Sequence, residues 1–231
     1  MKTAGIIGGV GPESTMDYYR TIIARYRERN PDGSYPLLII TSIDLKQMVD
    51  LVTADRLAEV ADLLVAEFRR LEQAGADFGL IAANTPHVVF DVVRQRSPLR
   101  LISIVEVTAE AARSSKLQRV GLLGTRFTMQ GRFYHDVFAR VGIPLFTPDP
   151  EEQDEVHGIY MNELVLGILR PESQARLLTL VERMAARDGI DGLILGGTEL
   201  PLLLRQPEHR GVQFLDTTRL HVEQVVTEIL S

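Results

Sequence analysis

The stretch Gly5-Ile-Ile-Gly-Gly-Val-Gly-Pro-Glu-Ser-Thr15 passes from an apolar run through a cluster of glycines into an amphipathic segment. An apolar run that ends in a glycine turn before a helix reads as one strand–turn–helix unit of a parallel sheet. The pattern returns further along the chain. Gly5-Ile-Ile-Gly-Gly9 is echoed 116 residues later by Gly121-Leu-Leu-Gly-Thr125, and Leu80-Ile-Ala-Ala-Asn-Thr-Pro-His87 is answered 113 residues later by Leu193-Ile-Leu-Gly-Gly-Thr-Glu-Leu200. Two matched pairs at nearly one offset point to a duplicated α/β unit.

Outward from these anchors, short apolar runs alternate with amphipathic ones. Ala4–Gly9, Leu37–Ser42, Phe78–Ala82, Leu101–Ile104, Val120–Gly124 and Gly192–Leu195 read as buried strands. Met16–Arg29, Thr53–Ala74, Val107–Ser114, Gly131–Val141, Ser173–Arg187 and Thr217–Leu230 read as helices. In the second of these, Leu57, Val60, Ala61, Leu64, Phe68 and Leu71 recur at three- and four-residue steps with charges between them. The expected fold class is α/β: two similar halves with mostly parallel sheets flanked by helices and a cleft between them. The first half is expected over 1–106 plus 216–231, the last helix returning to it, and the second over 107–215. Strand C-terminal ends, where open α/β sheets bind ligands, would then face the cleft.

Composition narrows the function classes. With 231 residues, 45% apolar and 24% charged, the chain is an ordinary globular one. No apolar run reaches the roughly 20 residues of a membrane span, and the N-terminus has no signal-peptide pattern, so a cytoplasmic location is expected. A net charge of −6 with short, diluted basic stretches argues against a nucleic-acid partner. There is no cysteine at all, which rules out disulfides, thiolate metal sites and cysteine nucleophiles. The remaining histidines, 135, 157, 209 and 221, lack metal-ligand spacing, so no metal is expected.

Four loops could carry chemistry. The first is Gly8–Thr15, where Gly9 and Val10 precede a helix start; it suits a carboxylate or a plain tight turn better than a nucleotide, since Glu13 opposes a pyrophosphate. In the second, Ala83-Asn-Thr-Pro-His87, Asn84 and Thr85 could hydrogen-bond a carboxylate or ammonium group, and the alternative is a turn with backbone bonds only. His87 stands just past the strand end. The third, Gly196-Gly-Thr-Glu-Leu200, offers Thr198 as a hydroxyl donor and Glu199 as a base, or else a helix cap and an acidic first turn. The fourth, Gly124–Met129, offers Thr125, Thr128 and Arg126.

Gly5–Tyr19 resembles the N-terminal signature of the aspartate/glutamate racemase family. Ala83–His87, Gly121–Met129 and Gly196–Leu200 are similar to its later motifs, in the same order. The resemblance covers essentially the whole chain. It implies two similar α/β halves, a homodimer, and racemisation without pyridoxal phosphate or any other cofactor. It also implies a substrate held by Gly9, Val10, Asn84, Thr85, Thr125 and Thr198, and flanked by two cysteines that exchange its α-proton. The family's cysteine positions correspond to Ala83 and Gly197, neither of which can carry a proton. Some relatives have a threonine at the first position. The basic residue that some members place after the second strand has no clear counterpart in Ser42-Ile-Asp-Leu-Lys-Gln47, where Lys46 is the candidate and Asp44 would oppose a carboxylate.

The expectation is therefore a racemase-family protein that binds a small carboxylate or amino acid and is unable to use the two-thiol mechanism. Two alternatives stand beside it. One is an isomerase or lyase using His87 or Glu199 as acid or base. The other is an altered form of a true aspartate/glutamate racemase.

Overall fold

The computed structural model describes residues 1–231. The chain divides into two compact units, Met1–Ile104 with Thr218–Ser231, and Val105–Thr217.

The first unit is built on a four-stranded parallel sheet of β1 (Ala4–Gly8), β2 (Leu38–Ser42), β3 (Phe78–Ile81) and β4 (Arg100–Ile102), in the order β2-β1-β3-β4. The two central strands are buried throughout, because helices cover both faces of a parallel sheet; the edge strand β2 is only partly buried. Its helices are α1 (Pro12–Arg29), α2 (Leu45–Thr53), α3 (Leu57–Gln73) and α4 (Phe90–Arg96). The stripe expected on α3 is its buried face: Val60, Ala61, Leu64, Phe68 and Leu71 are at most 1% exposed. Removing a fully buried ring such as Phe68 would cost about 3–5 kcal/mol.

The helix expected over Thr53–Ala74 begins only at Leu57, as α3, and a separate helix that was not expected, α2, ends at Thr53 before it. Asp55 takes a left-handed conformation (φ 54°) between them, a state its short polar side chain tolerates better than most. The Asp44 side chain caps α2 by accepting the Lys46 N–H at 2.8 Å.

The second unit repeats the plan. Its sheet has the order β6-β5-β7-β9-β8, formed by β5 (Val120–Gly124), β6 (Leu145–Phe146), β7 (Gly192–Gly196), β8 (Glu208–His209) and β9 (Val212–Asp216). Apart from β8, which pairs antiparallel with β9, the strands are parallel and follow the same order as in the first unit. The helices are α5 (Ile104–Ser114), α6 (Arg126–Gln130), α7 (Arg132–Arg140), α8 (Pro150–Asn162), α9 (Pro171–Asp188) and α10 (Leu200–Leu203). The last helix, α11 (Thr217–Leu230), returns to the first unit. There the Lys2 N–H bonds the Ile229 carbonyl at 3.0 Å.

In the first unit, α11 buries a histidine. His221 is wholly buried; its Nδ1 lies 2.8 Å from the Tyr18 hydroxyl and its Nε2 3.1 Å from the Ile102 carbonyl. A carbonyl only accepts, so Nε2 carries the proton and Nδ1 accepts from the phenol. Burial holds His221 down to about 4 from 6.5, and burial together with the proximity of His221 holds His87 down to about 3. Both are neutral in the fold. An unfolded chain takes up these protons below pH 6.5 while the folded one resists, so stability falls as pH drops from 6.5 toward 4. The steepest slope is about 1.4 kcal/mol per pH unit for each ring.

Denaturant titrations should therefore show a loss on the order of 2–3 kcal/mol between pH 7.5 and 5.5. His221→Asn should lower stability at pH 7.5 yet roughly halve that loss; an undiminished loss would assign the acid sensitivity to other groups. Gly9 has φ +86°, and a Cβ there would stand 2.7 Å from both the Ile43 N and the Ser42 Oγ. Gly9→Ala should cost about 2–4 kcal/mol in the same assay.

Candidate active site

Parallel strands in register end together. Ile7 pairs with Ile81, so the loops beginning at Gly8 and Ala82 leave the first sheet side by side. Gly124 pairs with Gly196, so those beginning at Thr125 and Gly197 do the same in the second. The sequence-identified loops are thus brought together in pairs within each unit.

In the first unit, Gly11 (φ +94°) precedes Pro12, which opens α1 without any side-chain cap. Neither Ser14 nor Thr15 caps the helix. Instead Thr15 Oγ1 accepts the Gly9 N–H at 2.9 Å and donates to the Gly11 carbonyl at 3.2 Å, locking the turn. The Gly9 N–H is thereby occupied from inside the loop. Ser14 donates to the Ala82 carbonyl at 3.2 Å and so ties the first loop to the second.

Ala83 and Asn84 are each 4% exposed, and a 3₁₀ turn over Thr85–Val89 follows them. His87 stacks on Phe90 with ring centroids 4.6 Å apart, and its Nδ1 lies 3.1 Å from the Ala83 carbonyl. That contact places the proton on Nδ1 and leaves Nε2, which has no partner and is shut off from water, as a lone-pair acceptor. A ring held near 3 is a poor proton acceptor at neutral pH but remains a hydrogen-bond acceptor.

In the second unit, Thr125 caps α6 by accepting the Thr128 N–H at 3.3 Å, and the two hydroxyls lie 3.2 Å apart. Arg126 points its guanidinium at Asp154 (2.8 Å), so its charge is engaged on the surface. Lys46 of the first unit is likewise exposed and paired with Asp50. No group of three His, Cys, Asp or Glu side chains is arranged to hold a metal ion.

The loop after β7 departs most from a simple helix start. The helix that follows is one turn long, and Thr198 does not cap it. Thr198 and Glu199 are 2% and 1% exposed. Thr198 Oγ1 donates to Glu199 Oε2 at 3.0 Å, and the Tyr160 hydroxyl from α8 donates to that same oxygen. Burial first, and the Glu199 charge second, push the Tyr160 phenol well above its ordinary range.

The Tyr160 ring also lies against Gly197. A Cβ built on Gly197 would stand 2.8 Å from Tyr160 Cζ and 2.9 Å from its hydroxyl oxygen. Tyr160 is the residue that sequence reasoning missed. The signal that could have found its helix is Asp149-Pro-Glu-Glu152, where Glu152 bonds back to the Asp149 N–H at 3.0 Å in a capping box.

The Asp/Glu/hydantoin racemase family model matches residues 7–225. An aspartate racemase homologue from Pyrococcus horikoshii is 34% identical, with full coverage of both chains and a TM-score of 0.85. A Yersinia pestis protein provisionally assigned as an Asp/Glu racemase is 31% identical, again over both full chains, with a TM-score of 0.89. The broad-specificity amino-acid racemase RacX of Bacillus subtilis is 26% identical over 208 residues, which is 87% of this chain and 86% of that protein. With the match spanning both sheets and all four loops, the chain belongs to the Asp/Glu/hydantoin racemase family, as a member without cysteine.

Proposed function

We propose that this protein binds a small amino acid or carboxylate at the strand-end loops and does not racemise it by thiol chemistry. One observation carries the reading: the chain has no cysteine, and by the resemblance of its loops the family's two cysteine positions fall at Ala83 and Gly197. Beside them stand the polar side chains Asn84, Thr85, Thr125 and Thr198, to which the same resemblance gives the binding of substrate.

The other ionisable groups support the same reading. His87 is held near 3, too acidic to take an α-proton readily, and the Tyr160 phenol is pushed upward, too weakly acidic to supply a phenolate. A second reading, isomerase or lyase chemistry, draws on the lone pair of His87 Nε2, which has no partner in the fold.

Proton NMR with L- and D-aspartate and glutamate in deuterated buffer separates the two. The expected outcome is thermal stabilisation by at least one of the four, with no loss of α-proton signal beyond the buffer control. Saturation at a hundred times Kd should add about 2.7 kcal/mol of stability. Exchange above the control that disappears in His87→Asn would establish the second reading instead.

A further inference from the structure

Gly197 does not belong to the glycines with positive φ, which are Gly9, Gly11, Gly33, Gly75, Gly142, Gly167, Gly189 and Gly211. Its missing side chain is therefore a matter of space rather than of backbone conformation. The space is taken by Tyr160, whose ring atoms crowd any Cβ at 197 to below the 3.0 Å that real Cβ atoms respect. The ring enters from α8, and its hydroxyl is fixed by donating to Glu199 two residues further along the same loop.

We propose that Tyr160 is the residue that shapes the ligand-facing loop after β7 in the second unit: its ring fills the place of a side chain at 197, and its hydroxyl positions the buried Glu199 carboxylate. Positions 160 and 197 form one steric pair, so a thiol at 197 and a tyrosine at 160 exclude each other. Restoring the cysteine alone cannot restore a family-type site in this chain. The inference rests on the proposed ligand site only for its functional half; the exclusion rests on geometry within one unit.

The absence of cysteine makes the test clean, because any introduced thiol is the only one present. Gly197→Cys should lower Tm by about 5–10 °C through overpacking. It should do the same in Tyr160→Phe, which keeps the ring and removes only the hydroxyl. In Tyr160→Ala, which opens the space, adding Gly197→Cys should cost little or nothing further. Equal losses in all three backgrounds would overturn the steric pairing.

In the Tyr160→Ala/Gly197→Cys variant, alkylation by iodoacetamide reads the site itself. Aspartate or glutamate at millimolar concentration should slow alkylation several-fold, as no effect on packing alone would. If the Tm differences appear but none of the L- or D-isomers slows alkylation, the exclusion stands. The proposal that this position faces a ligand would then be overturned, while the binding function is decided separately by thermal stabilisation of the unaltered chain.

Discussion

Parallel pairing is the constraint from which the candidate site follows. In an antiparallel sheet, adjacent strands would deliver their C-terminal ends to opposite edges. In a parallel sheet every strand ends at the same edge, and the register decides which residues come first beyond it. Here Ile7 opposite Ile81 and Gly124 opposite Gly196 set that register. The Gly8 and Ala82 loops, and likewise the Thr125 and Gly197 loops, are neighbours because hydrogen bonds in the core leave them no alternative. The bond from Ser14 to the Ala82 carbonyl then fastens one loop to the next. Burial of the central strands on both faces makes the register costly to slip, so the loops inherit the rigidity of the sheets.

A second constraint is the treatment of charge at those loops. Cations that could attract a carboxylate are turned to the surface and paired, Arg126 with Asp154 and Lys46 with Asp50. What remains near the strand ends is mostly neutral: hydroxyls, the Asn84 amide and an uncharged His87. Glu199 is a buried carboxylate among them, and its Oε2 takes bonds from two hydroxyls. Charge-assisted bonds of that kind are among the stronger ones in a protein, and they hold a carboxylate where desolvation would otherwise disfavour it. Such an arrangement favours fixed hydrogen-bond geometry over proton movement, which supports a binding role.

The parts of this fold legible in the sequence are those where local pattern and tertiary role coincide. β1, β3, β5 and β7 are apolar along their whole length because both faces are covered. The charges on α3 alternate with its buried stripe. The repeated strand order of the two sheets was foreshadowed by the echoed Gly-Ile-Ile-Gly and Gly-Leu-Leu-Gly segments. Elements whose identity depends on a neighbour were not legible. β6 and β8 are two residues each, and β9 carries the exposed Gln213 and ends on Asp216. α8 buries Gln153 with Val156, Ile159 and Tyr160, a face too polar to stand out. The start of α3 at Leu57 rather than Thr53 depends on one left-handed residue, Asp55. For the site, the loops could be located but their contacts could not. Tyr160 lies 39 residues before Glu199, and no local spacing links a tyrosine on one helix to a glycine loop after a distant strand.

The pairing of Tyr160 with Gly197 also bears on how a thiol site could be lost without loss of the fold. Removing a cysteine side chain from a buried loop leaves a cavity, and cavities in close-packed interiors cost stability in proportion to the volume left unfilled. A glycine at 197 would enlarge that deficit were it not for the ring that lies against it. The ring lies against Gly197, and its hydroxyl donates to the carboxylate of the same loop, so the buried phenol has a partner. A thiol and a phenol are not equivalent in what they can do there. A thiol reaches its ionised form near neutral pH with modest help, whereas burial and the adjacent carboxylate drive this phenol in the opposite direction. Packing and hydrogen bonding at this loop are met by a phenol that holds its proton, so the stability of the second unit does not depend on an ionisable thiol there.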